Sequence, residues 1–173
     1  SVYVVVLAVL GLNHKTVAVD IREQFAISEE SAGDGLHHLK DQEAIREAVI
    51  LSTCNRTEIY AVLQDEKAKQ DLYKFFLTLS GNSDAKEEYF FYYTGKECIR
   101  HLFEVVSGLD SMVIGESQIL NQIKTAYTLA LSEKATRTIL NTLFHRAIRT
   151  GKRVRTETQI STSAVSVSYA AVK

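Results

Sequence analysis

Cys54 stands in the stretch Ile50-Leu51-Ser52-Thr53-Cys54-Asn55-Arg56-Thr57-Glu58-Ile59-Tyr60, at the end of an apolar run and ahead of an Asn-Arg pair. A thiol reacts as its thiolate and needs a positive charge or a base nearby; Arg56, two residues on, can supply the charge. The position equally suits a cysteine serving as a small apolar residue at a strand end. Spacing alone leaves both open. Cys98 differs, because it shares an apolar stripe with Leu102 and Val105 and reads as core. His101, three residues further, lies beside that stripe, so its imidazole can face a cleft as acid, base or donor, or stand exposed on the helix. Glu116, Gln118 and Gln122 open the next helix, the two glutamines at i, i+4 on one face, where they can bond an amino acid's polar groups or face water. Arg146, Arg149 and Arg153, at i, i+3 and i+7, form a basic face that Lys152 and Arg155 extend. Such a face is either solvated or a phosphate contact. His37 and His38 point to different sides of a helix and lack ligand spacing, and His14 and His145 have no ligating partners in sequence. No metal site is expected.

These residues need elements to position them. Val2 to Leu10 is rich in β-branched residues and reads as a strand ending at Gly11. Ser28 caps a helix that runs to about Lys40, with Glu29 and Glu30 in its first turn. Ala48–Thr53 and Thr57–Leu63 read as the second and third strands, Asp65 as the cap of a second helix through Leu72, Phe76 and Leu79, and Tyr89–Tyr93 as a fourth strand. The order β-α-β-β-α-β is that of an α+β, ferredoxin-like antiparallel sheet with two helices on one face. From Lys96 the pattern is helical throughout. The stripes are Cys98, Leu102, Val105 and Val106; Ile119, Ile123, Tyr127 and Ala130; and Leu140, Leu143, Ala147 and Val154. Cys54 then falls in the short link between the second and third strands, at the sheet edge, where rigid elements hold it from both sides.

At 173 residues, 46% hydrophobic and 24% charged, the chain has the length and composition of a globular domain with a real core. Its longest apolar run, Val2 to Leu12, falls short of the roughly 20 residues that span a bilayer, and only Ser1 precedes it where a secretory signal needs a basic region. With two cysteines 44 positions apart and no targeting signal, a cytoplasmic protein with free thiols is expected. Charge is distributed unevenly: residues 1–133 hold 12 Lys+Arg against 20 Asp+Glu, and residues 134–173 hold 8 against Glu157 alone. One end is basic. There is no Gly-x-Gly-x-x-Gly turn and no phosphate loop, so no dinucleotide site of the usual kind is expected.

Four longer motifs, "GLNHKT" (11–16), "STCNRTEIYAV" (52–62), "HLFEVVSGLDSMVIGESQIL" (101–120) and "GKRVRTET" (151–158), occur in the order in which glutamyl-tRNA reductases carry them. The chain resembles the N-terminal catalytic domain of that family over nearly its whole length. Where the family often reads His-Lys-Thr-Ala-Pro-Val, this chain has His14-Lys15-Thr16-Val17-Ala18-Val19; it contains no proline.

The resemblance implies a NADPH-dependent oxidoreductase of tetrapyrrole and heme biosynthesis. In it the motif cysteine, here Cys54, attacks the ester of glutamyl-tRNA to give an enzyme-bound thioester, and hydride then releases glutamate-1-semialdehyde. By the same resemblance His101 matches the histidine needed for activity. The substrate-binding positions are Thr53, Cys54, Asn55, Arg56, Ser111, Glu116, Ser117, Gln118 and Gln122, with Arg56 expected to pair the substrate carboxylate bidentately. The domains expected are a ferredoxin-like core over 1–94, a helical part completing the catalytic domain over 95–158, and from 159 to 173 the start of a linker toward an NADPH-binding domain. NADPH is expected in the complete enzyme and not on this chain. The complete enzyme is expected to be a homodimer that hands its product to an aminomutase. The competing reading is a ferredoxin-like module that binds tRNA or a protein without catalysis.

Overall fold

The computed structural model describes residues 4–80, 85–110 and 118–172, without the side chains of residue 80 and residues 160–172. Four strands, β1 (Val6–Asn13), β2 (Ile45–Ser52), β3 (Arg56–Leu63) and β4 (Phe91–Thr94), form one antiparallel sheet in the order β2-β3-β1-β4. Between β1 and β2 lie α1 (Val19–Gln24) and α2 (Glu29–Lys40), and between β3 and β4 lies α3 (Lys69–Ser80). After β4 the chain is helical: α4 (Gly95–Val106), α5 (Ile119–Ser132) and α6 (Thr138–Val172). The ferredoxin-like topology is the one expected from sequence.

Local signals act where they were read. The Ser28 side chain accepts from the Ser31 N–H at 3.2 Å and starts α2. Asp65 accepts from the Lys67 N–H at 2.9 Å, but what it caps is a 3-10 turn over Glu66–Ala68 that leads into α3. The fourth strand starts later than expected, because a further 3-10 turn takes up Glu87–Tyr89. α1 carries no sequence signal: it is short, buries no residue fully, and has no capping side chain.

β1 corrects the expected strand end. Gly11 does not stop the strand, which runs on to Asn13 with Gly11 opposite Glu58. A Cβ on Gly11 would lie 2.7 Å from the Thr57 carbonyl oxygen and 2.9 Å from Glu58 Cγ. The glycine is there to let the Glu58 side chain cross the sheet.

Directly opposed residues in a sheet share a face, and the two faces have different roles. Ile50, Ile59, Leu10 and Tyr92 lie on one face, where Gly35 of α2 approaches Ile50 and Phe75 of α3. On the other lie Arg56, Glu58, Tyr60 and Phe91, which meet α4 through His101 and α6 through Phe144. The helical part is therefore a second roof over the sheet and shares one hydrophobic core with it. This explains why every residue of the central strand β3 is buried. The three apolar stripes are buried as read, apart from half-buried Val154.

Glu47 on β2 fixes the start of the long helix. Its Oε1 accepts from the N–H groups of Arg137 at 2.6 Å and Leu140 at 3.0 Å, an anion placed against a helix N-terminus. Further along, Gly151 of α6 passes Val106 so closely that a Cβ would lie 2.7 Å from its Cγ2. α6 continues without a break to Val172, so the expected domain limit at 158/159 falls inside a helix.

Candidate active site around Cys54

The β2–β3 link is three residues long, and each of its residues makes at least one backbone hydrogen bond. Thr53 N–H donates to the Arg56 carbonyl at 2.8 Å, Asn55 N–H to Thr53 Oγ1 at 3.1 Å, and His14 N–H to the Asn55 carbonyl at 3.1 Å. Arg22 Nε–H donates to the Cys54 carbonyl at 3.3 Å. Cys54 itself is exposed and Cys98 is fully buried, both as free thiols. Burial, with the charge of Glu58 adding to it, pushes the Cys98 thiol up to about 12, so the two cysteines are chemically unlike.

The turn of "GLNHKT" reaches the site from β1. Asn13 Oδ1 accepts from the Lys15 N–H at 2.9 Å and Thr16 Oγ1 from the Asn13 N–H at 3.0 Å, so side chains close the turn. It delivers Lys15 Nζ to Asp110 Oδ1 and sets His14 beside Asn55. Burial holds the His14 imidazole below its ordinary range, and the charges of Arg56, Lys15 and Arg22 act in the same direction.

Beneath Cys54 a chain of buried charges crosses from sheet to roof. Arg56 Nη1–H donates to Asp110 Oδ2 at 2.9 Å and to Glu58 Oε2 at 3.1 Å, and Nη2–H to the Asp110 carbonyl at 2.6 Å. Glu58 also accepts from the Tyr60 hydroxyl at 2.9 Å, and its Oε2 lies 2.6 Å from His101 Nε2. Burial alone would push Glu58 up, but the His101 bond and the charges of His101 and Arg56 hold it below the ordinary carboxylate range. An ionised Glu58 only accepts, so His101 Nε2 carries the hydrogen. Asp110 is likewise held low by Lys15 and Arg56 against its own burial.

Two of the candidate site residues are buried. His101 is 6% exposed, packed against Phe91 and Tyr93 at ring separations of 4.8 and 5.3 Å, and is neither solvent-facing nor free in a cleft. Arg56 is 2% exposed, with both terminal nitrogens engaged by Asp110 and Glu58. In this arrangement both N–H groups of Nη1 are taken by Asp110 and Glu58, and the side chain supports the turn from below. Glu58, Tyr60 and Asp110 were not singled out from sequence. Glu58 and Tyr60 had a signal, since alternation puts residues 56, 58 and 60 on one face of β3.

Gln118 and Gln122 line a groove of about 920 Å³ between the β2 edge and α5, together with Ile50, Leu51 and Ser52. Ser52 is two residues from Cys54, so the groove adjoins the turn. Ser111, Glu116 and Ser117 lie outside the described residues. Arg146, Arg149, Lys152 and Arg153 are exposed on α6, and Arg153 bonds Glu157 at 2.8 Å. Among the described residues no His, Cys, Asp and Glu cluster could hold a metal ion, and no helix is long and apolar enough to cross a membrane.

Residues 10–158 match the family described as "Glutamyl-tRNAGlu reductase, N-terminal domain". The chain belongs to the glutamyl-tRNA reductase family. A glutamyl-tRNA reductase of Trichlorobacter lovleyi is 48% identical over 167 residues, covering 95% of this chain and 38% of that protein. One from Thermodesulfovibrio yellowstonii is 47% identical over 175 residues, covering 96% and 41% respectively. The solved glutamyl-tRNA reductase of Methanopyrus kandleri superposes with a TM-score of 0.71 at 34% identity, over 90% of this chain and 35% of that one. The chain thus spans about 38% of the length of the first of these glutamyl-tRNA reductases.

Proposed function

We propose that this chain is the part of a glutamyl-tRNA reductase that takes the glutamyl group from tRNA, with Cys54 as acyl acceptor. The observation that carries the reading is the exposed thiol on a turn each of whose residues is held by a backbone hydrogen bond, over a buried ionic chain that fixes β3 to α4. A nucleophile held this way loses little orientational freedom on reaction. The Cys54 sulfur attacks the ester carbonyl carbon, the bond from that carbon to the ribose oxygen breaks, and the thiol proton ends on the released ribose hydroxyl. The products are a thioester on Cys54 and free tRNA.

Thr53 and Asn55 flank the nucleophile and belong to its turn. Gln118 and Gln122 supply amides to the adjoining groove, and Ser111, Glu116 and Ser117 join them as substrate-binding positions on the strength of their motif. His101 acts as a positioning residue by fixing Glu58, and Arg56, which joins Glu58 to Asp110, is a substrate-binding position for the glutamyl carboxylate on the strength of its motif. In the complete enzyme NADPH would reduce the thioester to glutamate-1-semialdehyde on the route to tetrapyrroles. The chain's glycines do not fit a dinucleotide turn and the described sheet is wholly antiparallel, so no hydride step is assigned to these residues. Homodimer formation and product transfer to an aminomutase belong to the same proposal for the complete enzyme, as does its cytoplasmic location.

Deacylation of glutamyl-tRNA by wild type, Cys54→Ser and His101→Ala tests this. Wild type should deacylate above background, Cys54→Ser at background, and His101→Ala in between. The basic face of α6 favours one other reading, a tRNA-binding module without chemistry, which predicts equal tRNA binding and no deacylation in all three.

A further inference from the structure

Three separate motifs meet at one buried side chain. Asp110 follows the end of α4, where Gly108 turns the chain at φ 79° and the Leu109 N–H returns to the Glu104 carbonyl at 2.9 Å. That turn leaves Asp110 5% exposed, between β3 and the turn of "GLNHKT". Its Oδ1 accepts from Lys15 Nζ, its Oδ2 from Arg56 Nη1–H at 2.9 Å, and its main-chain carbonyl from Arg56 Nη2–H at 2.6 Å. Asp110 thus holds Arg56 with two oxygens at once, both on the end of the guanidinium formed by Nη1 and Nη2.

The use of that end decides what is left. A guanidinium has five N–H groups and two forks that match a carboxylate, the Nη1/Nη2 end and the Nε/Nη2 side. Asp110 occupies the end, and Glu58 Oε2 takes the other N–H of Nη1 at 3.1 Å. The hydrogen bonds that Arg56 makes among the described residues leave Nε–H and the second N–H of Nη2, and these two are the side fork.

We infer that Asp110 is a positioning residue for glutamyl recognition, locking the end of the Arg56 guanidinium so that its side fork is kept in one orientation for the substrate carboxylate. The inference rests on the reading of Arg56 as the carboxylate-binding position. Both N–H groups of the fork donate in parallel; a carboxylate offers an acceptor to each, whereas a side-chain amide offers one acceptor and sets its own N–H groups against the other donor. A locked fork therefore separates a glutamyl from a glutaminyl ester, and a fork free to tilt onto a single oxygen separates them less.

Acylation of Cys54 is followed with one tRNA charged with glutamate or with glutamine, in wild type, Asp110→Asn and Asp110→Ala. The ratio of the two rates cancels thiol reactivity and the affinity of the tRNA itself, so a merely structural loss slows both and leaves the ratio in place. Asp110→Ala should lower the ratio about tenfold or more, the scale of one charge-assisted hydrogen bond. Asp110→Asn keeps an acceptor oxygen for Nη1 and should stay within about threefold of wild type. An unchanged ratio in Asp110→Ala overturns the inference, and so does a ratio in Asp110→Asn as low as in Asp110→Ala, which would make the effect one of charge. Where Asp110→Ala does not fold, Asp110→Glu takes its place: it keeps the charge but carries the oxygen one methylene further, and an unchanged ratio there overturns the inference equally. Arg56→Lys tests the reading beneath it, since a ratio that this change leaves intact removes Arg56 from the carboxylate and the inference with it. If glutamyl-tRNA does not acylate wild-type Cys54, it is the reading of Cys54 that falls, and this inference falls too.

Discussion

His101 Nε2 on α4 lies 2.6 Å from Glu58 Oε2 on β3, and this contact joins the helical roof to the strand that carries the Cys54 turn. Both side chains are buried, and Glu58 is shared with Arg56 and Tyr60. Removing one member of such a chain leaves an uncompensated buried charge, which typically costs about 3–5 kcal/mol. Glu58→Gln should destabilise the fold by that order in urea titrations. Combined with His101→Ala it should cost less than the sum of the two changes, because the residues share one network.

Acid should undo the same chain. Glu58 and Asp110 both sit below their ordinary ranges in the folded protein, so the unfolded chain binds their protons more readily. Their contribution is therefore complete above the unfolded values of about 4 and is lost as pH falls through the folded values. Urea midpoints measured from pH 6 downward should begin to fall near pH 5. In Glu58→Gln that acid-dependent fall should be smaller than in wild type.

The two thiols should separate cleanly. Cys54 is exposed, while Cys98 is fully buried with its thiol pushed up to about 12. Titration with a disulfide reagent at neutral pH should count one fast thiol in the folded protein and a second only on unfolding. The fast one should be absent from Cys54→Ser.

Gly11→Ala should act at a distance from its own small volume. The added Cβ meets Thr57 O and Glu58 Cγ, so either the β1–β3 pairing opens or Glu58 leaves its partners. A loss of about 1–3 kcal/mol is expected, as for other overpacked sites. Cys54 alkylation kinetics should change with it, because the turn loses its underlying support.

The basic face of α6 supplies a salt-dependent prediction. Arg149→Glu should weaken tRNA binding and lower the slope of log affinity against log salt, by about one for a lost phosphate contact. Alkylation of Cys54 should stay unchanged. Affinity equal to wild type at low salt would remove this face from tRNA binding.

Much of the architecture was legible because its signals are local. Ser28 caps α2, and the stripe from Cys98 to Val106 marks α4, as periodicity indicates. Less legible were features that depend on chain segments meeting in space. Gly11 reads as a strand end until Glu58 is known to lie opposite, and α1 carries neither a cap nor a buried stripe. The site divides in the same way. The place of Cys54 follows from two strands and a short link, but the burial of Arg56 and His101 depends on Asp110 and on a roof that no single segment reveals.

Mass spectrometry of the protein after incubation with glutamyl-tRNA tests Cys54 most directly. A glutamyl adduct is expected on the peptide containing Cys54, labile to hydroxylamine as a thioester is and missing from Cys54→Ser. An unmodified Cys54 in a folded wild-type protein whose glutamyl-tRNA has been bound, or an adduct that persists in Cys54→Ser, would contradict it.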